Sequence, residues 1–210
     1  MALRKEQIIE EALQLLNESG LEGVTLRKLA KRLGVQAPAL YWHFNNKAAL
    51  VNEMAEAILQ TEFADLQPRG DGEPWQDWLI RTLNRLRKAM LSYTDGGRVV
   101  AGAHLSLTMA KISEVAIQSL HSAGISLREA RLIVLAATHY TFGYVIEEQT
   151  TLPSPEEIKD FDFEQFKKEH PLMVQSIEEY FSSGRTVDDL FNDGLKMIVG
   201  VYIQHKNPCQ

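Results

Sequence analysis

Cysteine is almost absent from this chain: its 210 residues hold one, Cys209. A single thiol excludes an intrachain disulfide and any cysteine-based zinc site, and it fits a reducing compartment. Long apolar runs are missing as well. The nearest candidate, 132–146, contains His139 and is bracketed by Arg131 and Glu147, so it reads as a buried helix and not as a membrane span. The chain reaches Arg4-Lys5-Glu6 with no apolar segment behind them, and a soluble, cytoplasmic protein without membrane contact is expected. The motifs of hydrolases, nucleotide-binding loops, dinucleotide folds and zinc proteases are all lacking. The six histidines, at 43, 104, 121, 139, 170 and 205, are scattered without metal-ligand spacing. No enzyme activity, cofactor or metal is therefore expected. An excess of positive charge is lacking too. Against 28 acidic residues stand 22 basic ones, a net charge of −6, which excludes a uniformly basic nucleic-acid binder.

What is present has globular proportions, 45% hydrophobic and 24% charged, and at about 150 residues per domain the length allows one or two domains. The net charge conceals an asymmetry. Residues 1–50 carry seven Lys or Arg and five Glu, whereas the other 160 carry fifteen basic and twenty-three acidic residues. Within 25–48 stand five basic residues (Arg27, Lys28, Lys31, Arg32 and Lys47) and no acid, interleaved with Tyr41, Trp42 and His43. A short basic run is ordinarily a solvated helix face. Here cations suited to phosphates stand beside aromatic and imidazole groups suited to a groove, so this corner is expected to face DNA.

Apolar spacing predicts helices nearly throughout. Ile8, Ala12, Leu15 and Leu16 recur at helical period over 4–19, and Gly20 and Gly23 are expected to end that helix. Thr25 is a candidate N-cap for 26–33, which Gly34 stops. Pro38 suits the first turn of 38–44, where its missing N–H would have no partner anyway. Asn45-Asn46 breaks that helix and caps the next, 47–63. Further helices are expected over 75–93, 107–122, 126–150, 171–181 and 186–205, with loops at 67–74 and 151–162. No run alternates long enough to form a sheet. The fold class is all-α. In the last helix Phe191, Leu195, Ile198 and Tyr202 form one apolar stripe, and Leu190, Gly194, Met197 and Val201 form a second beside it. A monomer's surface helix needs one stripe. A two-fold homodimer through 126–150 and 186–205 is therefore expected.

The helices 26–33 and 38–44, joined by Gly34-Val35-Gln36-Ala37, have helix-turn-helix spacing. Ala30 is small where two helices cross, and Leu29, Leu33, Val35, Leu40 and Phe44 can pack the pair onto the first helix. The second helix then offers its first residues to base edges in the major groove. The strings Val24-Thr25-Leu26-Arg27-Lys28-Leu29-Ala30, Leu33-Gly34-Val35 and Pro38-Ala39-Leu40-Tyr41-Trp42-His43-Phe44-Asn45-Asn46-Lys47 resemble the DNA-binding domain of the TetR family of regulators. Leu40-Tyr41-Trp42-His43 is similar to its tetracycline-repressor branch in particular. A weaker likeness continues through Trp75-Gln76, Tyr93-Thr94-Asp95-Gly96, Ser126-Leu127-Arg128 and His139-Tyr140-Thr141-Phe142-Gly143, with Glu147 and Gln149. The resemblance implies a DNA-binding domain over 1–46 and a ligand-binding and dimerisation domain over 47–210, in a dimer that holds a palindromic operator and is released by a small-molecule inducer bound in a helical core. It implies a guanine contact for Arg27 and phosphate contacts for Lys28 and Lys47. The remaining DNA-facing residues it implies are Thr25, Gln36, Ala37, Pro38, Ala39, Tyr41, Trp42 and His43. Ala37 and Ala39 stand where the branch has glutamine and threonine. An alanine reads only a thymine methyl, so a different operator sequence is expected.

The ligand half departs further. The branch binds a drug–magnesium chelate. By the resemblance its magnesium histidine corresponds to Val100, and its drug-contacting histidine, asparagine, phenylalanine and threonine to Ala64, Thr82, Leu86 and Ala103; only His139 and Glu147 match. Valine cannot ligate Mg2+, a hard ion that takes oxygen, so an inducer other than tetracycline–magnesium is expected. The candidate ligand residues are Trp78, Thr82, Leu86, Val100, Ala103, His104, His139, Phe142 and Glu147, an apolar wall with a few polar groups. The alternative makes these residues ordinary core, in a DNA-binding regulator without a small-molecule ligand. An empty cavity would favour the first reading, and a filled core the second.

Overall fold

In the computed structural model, residues 3–150, 154–159 and 161–206 are described, with backbone alone for 155, 157 and 201–206. The described residues form twelve helices and no strand. Helix α1 (Lys5–Gly23) does not stop at residue 19 as its glycines suggested. Gly20 takes φ 64 and ψ 178, a jog that costs glycine little, and a last helical turn resumes beyond it. Helix α2 (Leu26–Arg32) starts at Thr25, whose hydroxyl accepts the Lys28 N–H at 3.2 Å. Helix α3 (Ala37–Tyr41) is shorter than expected, because the His43 and Phe44 amides both turn back to the Leu40 carbonyl. Helix α4 (Lys47–Phe63) is capped by Asn46, which accepts the Ala49 N–H at 2.8 Å.

Helix α5 (Trp75–Leu91) ends two residues before the expected 93. The chain then turns through Asp95, at φ 56 the one non-glycine residue with positive φ among those described. Helix α6 (Gly96–Ala101) was not anticipated, since paired glycines argue against a helix. Close approach explains the first of them: a Cβ on Gly96 would land on the Met90 carbonyl oxygen. Helices α7 (Leu107–Ser122) and α8 (Leu127–Glu148) begin at Ser106 and Ser126, each accepting an N–H three residues on; Ser126 and Glu129 make a capping box. Part of the expected loop 151–162 is helical, as α9 (Pro155–Lys159); residues 151–153 and 160 lie outside the described residues. Helices α10 (Phe163–Glu169), α11 (Pro171–Ser182) and α12 (Val187–Lys206) complete the chain. No described helix is long and apolar enough to cross a membrane.

A single apolar cluster runs from Ile8, Ala12 and Leu16 of α1 through Leu29, Leu40 and Phe44 into Leu50, Met54 and Ile58 of α4, then on to Trp78, Leu83 and Leu86 of α5. Helix α4 packs on α1 at one end and on α5, α6 and α7 at the other, and so belongs to both parts of the molecule. On α12 the buried row is Phe191, Leu195 and Val199, with Ile198 only partly buried. Leu190 and Met197 of the second stripe stay exposed, Met197 at 73%. The side chains of Val201 and Tyr202, placed in these stripes from the sequence, lie outside the described residues. Helix α8 buries Ala130, Val134, Ala137, Thr141 and Val145 and leaves Leu132, Ala136, His139 and Gly143 exposed.

One polar joint sets α5, α8 and α12 against each other. The buried Arg87 donates to Glu148 through Nε at 2.9 Å and Nη2 at 2.6 Å, and its Nη2 lies 2.7 Å from Asp188. Its guanidinium sits 5.0 Å from the Phe191 ring centre, and Tyr140 stacks on the same ring at 5.7 Å. The hydrogen bond to Glu148 holds Arg87 still more firmly protonated than usual, against the opposing effect of burial. Arg87→Ala strands the Glu148 carboxylate. Allowing for Asp188, whose side chain is 73% exposed, the expected loss is about 2–3 kcal/mol in urea unfolding. Arg87→Lys should recover less than half of it, since an ammonium cannot make the bidentate pair.

Candidate nucleic-acid interface and ligand core

The helix-turn-helix is assembled by burial from behind. Val24, Leu29, Ala30, Leu40 and Phe44 are buried against α1, and the turn closes through Gly34 at φ 65 with the Val35 N–H on the Ala30 carbonyl at 3.0 Å. What remains outside is the surface the sequence singled out. Arg27, Lys28, Gln36, Pro38, Tyr41 and Trp42 are exposed, Trp42 at 90%, while Thr25, Ala37, Ala39, His43 and Lys47 are half-buried. The exposed Lys31 extends the cationic edge. Two of the five basic residues turn inward. Arg32 pairs with Glu18 and Glu11 of α1, which raise its pKa, and Lys47 donates to the Leu21 carbonyl at 2.9 Å.

That lysine is half of a clamp. The jog at Gly20 frees the Leu21 N–H from the helix, and side chains from elsewhere reach both polar groups of that residue, whose carbonyl also accepts the Val24 N–H at 3.3 Å. Lys47, at the start of α4, holds the carbonyl; Asp95, in the α5–α6 turn, accepts the N–H at 2.7 Å. Beside it the Thr94 N–H donates to Asn17 at 2.9 Å, and Arg98 pairs with Glu22 at 2.7 Å. The same turn is tied to the end of α8. Gln149 accepts the Gly97 N–H at 2.9 Å and donates to the Tyr93 carbonyl at 2.8 Å. The DNA-facing corner is thus fastened by directed hydrogen bonds to the helices that would surround a ligand.

The nine ligand candidates fall into three groups. Trp78, Thr82, Leu86 and Val100 are brought together on α5 and α6 but are at most 3% exposed. Side chains that closed to a water-sized sphere line no open cavity, and the Thr82 hydroxyl already donates to the Trp78 carbonyl at 2.8 Å. Ala103 and Phe142 are half-buried at the edge of this core. His104, His139 and Glu147 are exposed. His139, Gly143 and Glu147 do share a helix face, as their spacing required, but it is the outer face of α8 and not the side that meets α5. An open cleft of about 740 Å³ lies elsewhere, between α4, α5 and the ends of α8 and α12. Its cations are matched: Arg81 with Glu73, Arg85 with Asp65, Lys88 with Glu62, Arg87 with Glu148 and Asp188. Sequence reasoning missed that cleft, because pairs so far apart in the chain leave no local signal. It also missed Asn52 and Glu56 of α4, which look like ordinary polar positions on a helix.

Comparison with known proteins agrees with this arrangement. Residues 8–54 match the model of bacterial regulatory proteins of the tetR family, and residues 67–201 match the tetracyclin repressor-like C-terminal domain. The chain is 36% identical over 198 residues to the tetracycline repressor protein class C of Escherichia coli, covering 94% of this chain and 90% of that one. A TetR variant from Acinetobacter baumannii AYE, solved in complex with minocycline, superposes with TM-score 0.71 at 33% identity over 96% of this chain and 97% of that one. A possible TetR family regulator from Streptomyces coelicolor A3(2) superposes with TM-score 0.81 at 27% identity, over 95% of this chain and 98% of that one. The chain belongs to the TetR family of bacterial transcriptional regulators.

Proposed function

We propose that this protein is a ligand-responsive transcriptional repressor of the cytoplasm, which grips a palindromic operator as a homodimer and releases it when a small molecule occupies its helical core. One observation carries the reading. An exposed, acid-free recognition surface is joined to that core by α4 and by the Leu21 clamp. Residues 1–46 do the reading and residues 47–210 do the sensing and pairing. The outward apolar residues of α8 and α12, Leu132, Ala136, Leu190 and Met197, supply a self-complementary interface. Arg27 and the side chains of α3 address base edges, and Lys28 addresses phosphate. Ligand displaces α5 and α6, α4 follows as a lever, and the two recognition helices lose the spacing of about 34 Å that successive major grooves demand. The inducer needs only to prefer the splayed state.

The inducer is not a tetracycline–magnesium chelate. The walls at Val100 and Leu86 are buried hydrocarbon and offer a hard cation no oxygen. The closed packing at Trp78, Thr82 and Leu86 also favours a second reading, a regulator with no small-molecule ligand. Thermal melting separates the two. Tetracycline with Mg2+ is expected to leave the midpoint unchanged. A member of a panel of apolar, aromatic and cationic drugs at 100 times its Kd should stabilise by about 2.7 kcal/mol. A panel that moves nothing supports the second reading, and a shift with tetracycline and Mg2+ refutes the exclusion of that drug.

The DNA surface is tested separately. Trp42→Ala should weaken operator binding about tenfold or more in fluorescence anisotropy, with the dimer and its melting point retained, because the side chain is 90% exposed and supports no core. Lys28→Ala should weaken binding to all sequences alike and lower the slope of log K against log salt by about one. A sequence-dependent loss would contradict a phosphate role.

A further inference from the structure

Helix α6 lies against α4, α5 and α8, and it leads into α7 through the short segment 102–106. That segment is held from inside by two side chains of α4 one turn apart. Asn52 Oδ1 accepts the His104 N–H at 3.1 Å. The Glu56 carboxylate accepts three hydrogen bonds at the start of α7: from the Ser106 hydroxyl at 2.7 Å, the Thr108 hydroxyl at 2.6 Å and the Thr108 N–H at 3.1 Å. Ser106 and Thr108 are each 9% exposed and Glu56 is half-buried, so these bonds are partly shielded from water. Meanwhile Leu105 and Leu107 point out, 79% and 81% exposed. Ala103 packs on the apolar core, and the rest of the segment is anchored to α4 by these polar contacts. Burial works to raise the Glu56 pKa, but the hydrogen bonds from Thr108 and Ser106 outweigh it and hold the carboxyl below its usual range, so it is ionised at neutral pH.

We infer that Glu56, assisted by Asn52, is the positioning residue that fixes the angle of α4 to the α6–α7 segment and so passes the state of the core to the DNA-binding corner. Apolar contacts between helices have no direction and permit sliding. Charge-assisted hydrogen bonds are short, directional and roughly twice as strong as neutral ones. Three of them converge on one carboxylate that stands on the helix leading to the recognition surface. Any displacement of α6 reaches the 102–108 segment through the chain itself, and Glu56 converts it into a rotation of α4. Without Glu56, α4 keeps its burial but loses this angular reference, and the separation of the two recognition helices broadens.

This rests on the reading of the protein as a dimeric operator binder, and the experiment separates the two. A duplex is selected from a random-sequence pool with the wild-type chain, and binding is compared on that palindrome, on a single half-site cut from it, and on the palindrome with one base pair added at its centre. Glu56→Ala is expected to lose about tenfold on the palindrome, since hydrogen bonds to a charged group are involved, and to keep its half-site affinity. It should also discriminate less against the lengthened duplex. Thr108→Val, on the other side of the contact, should shift the palindrome-to-half-site ratio the same way, and Glu56→Gln should fall between and serve if the alanine variant does not fold. An unchanged ratio in Glu56→Gln and Thr108→Val, or an equal loss on palindrome and half-site, overturns the inference. A wild-type chain that binds palindrome and half-site alike overturns the repressor reading and this inference with it.

Discussion

The helical core depends on the Arg87 joint. Helices α5, α8 and α12 each bring an apolar face, but apolar faces alone leave their mutual rotation weakly specified. The planar guanidinium removes that freedom. It can satisfy Glu148 through two parallel bonds only when α5 and α8 meet at one register, and it reaches Asp188 only when α12 lies across both. Phe191, from the buried row of α12, closes over it, and Tyr140 of α8 stacks on Phe191, so rings from two helices cover the guanidinium. Charge and packing therefore agree on one arrangement.

The same division of labour appears where the DNA-binding corner meets the core. The apolar cluster passes through α4 without a break, so burial alone does not separate the two parts. Direction comes from a few hydrogen bonds: Asp95 and Lys47 on the Leu21 peptide, Asn17 on Thr94, Gln149 on the turn before α6, and Glu56 on the start of α7. Several involve backbone groups of a kink or a turn. A backbone partner cannot change rotamer, so these links transmit displacement with little slack.

Much of this was legible in the chain. Thr25 and Asn46 mark helix starts because short polar side chains cap free amides, and Gly34 and Pro38 mark the turn between α2 and α3 because of the backbone angles they allow. The charge character of the exposed surface around Arg27 and Trp42 followed from the absence of acids in that stretch. Helix α6 was hidden because propensity weighs against Gly96-Gly97, and contact with Met90 overrides it. The direction faced by His139 was hidden for another reason. Periodicity shows that residues share a face and not what that face meets, and Leu132 and Ala136 face outward with it. The pairs Arg87–Glu148 and Glu56–Thr108 span 61 and 52 residues, and nothing local announces them.

The exposed position of Trp42 has an optical consequence. The chain has three tryptophans, and the other two, Trp75 and Trp78, sit at 8% and 2% exposure on the first turn of α5. One indole therefore emits from water at the DNA-facing corner, and two emit from hydrocarbon beside the core. A neutral aqueous quencher reaches the first and spares the others. The unlabelled protein thus carries separate fluorescent reporters for its two ends, and a single titration can show which end responds to an added molecule.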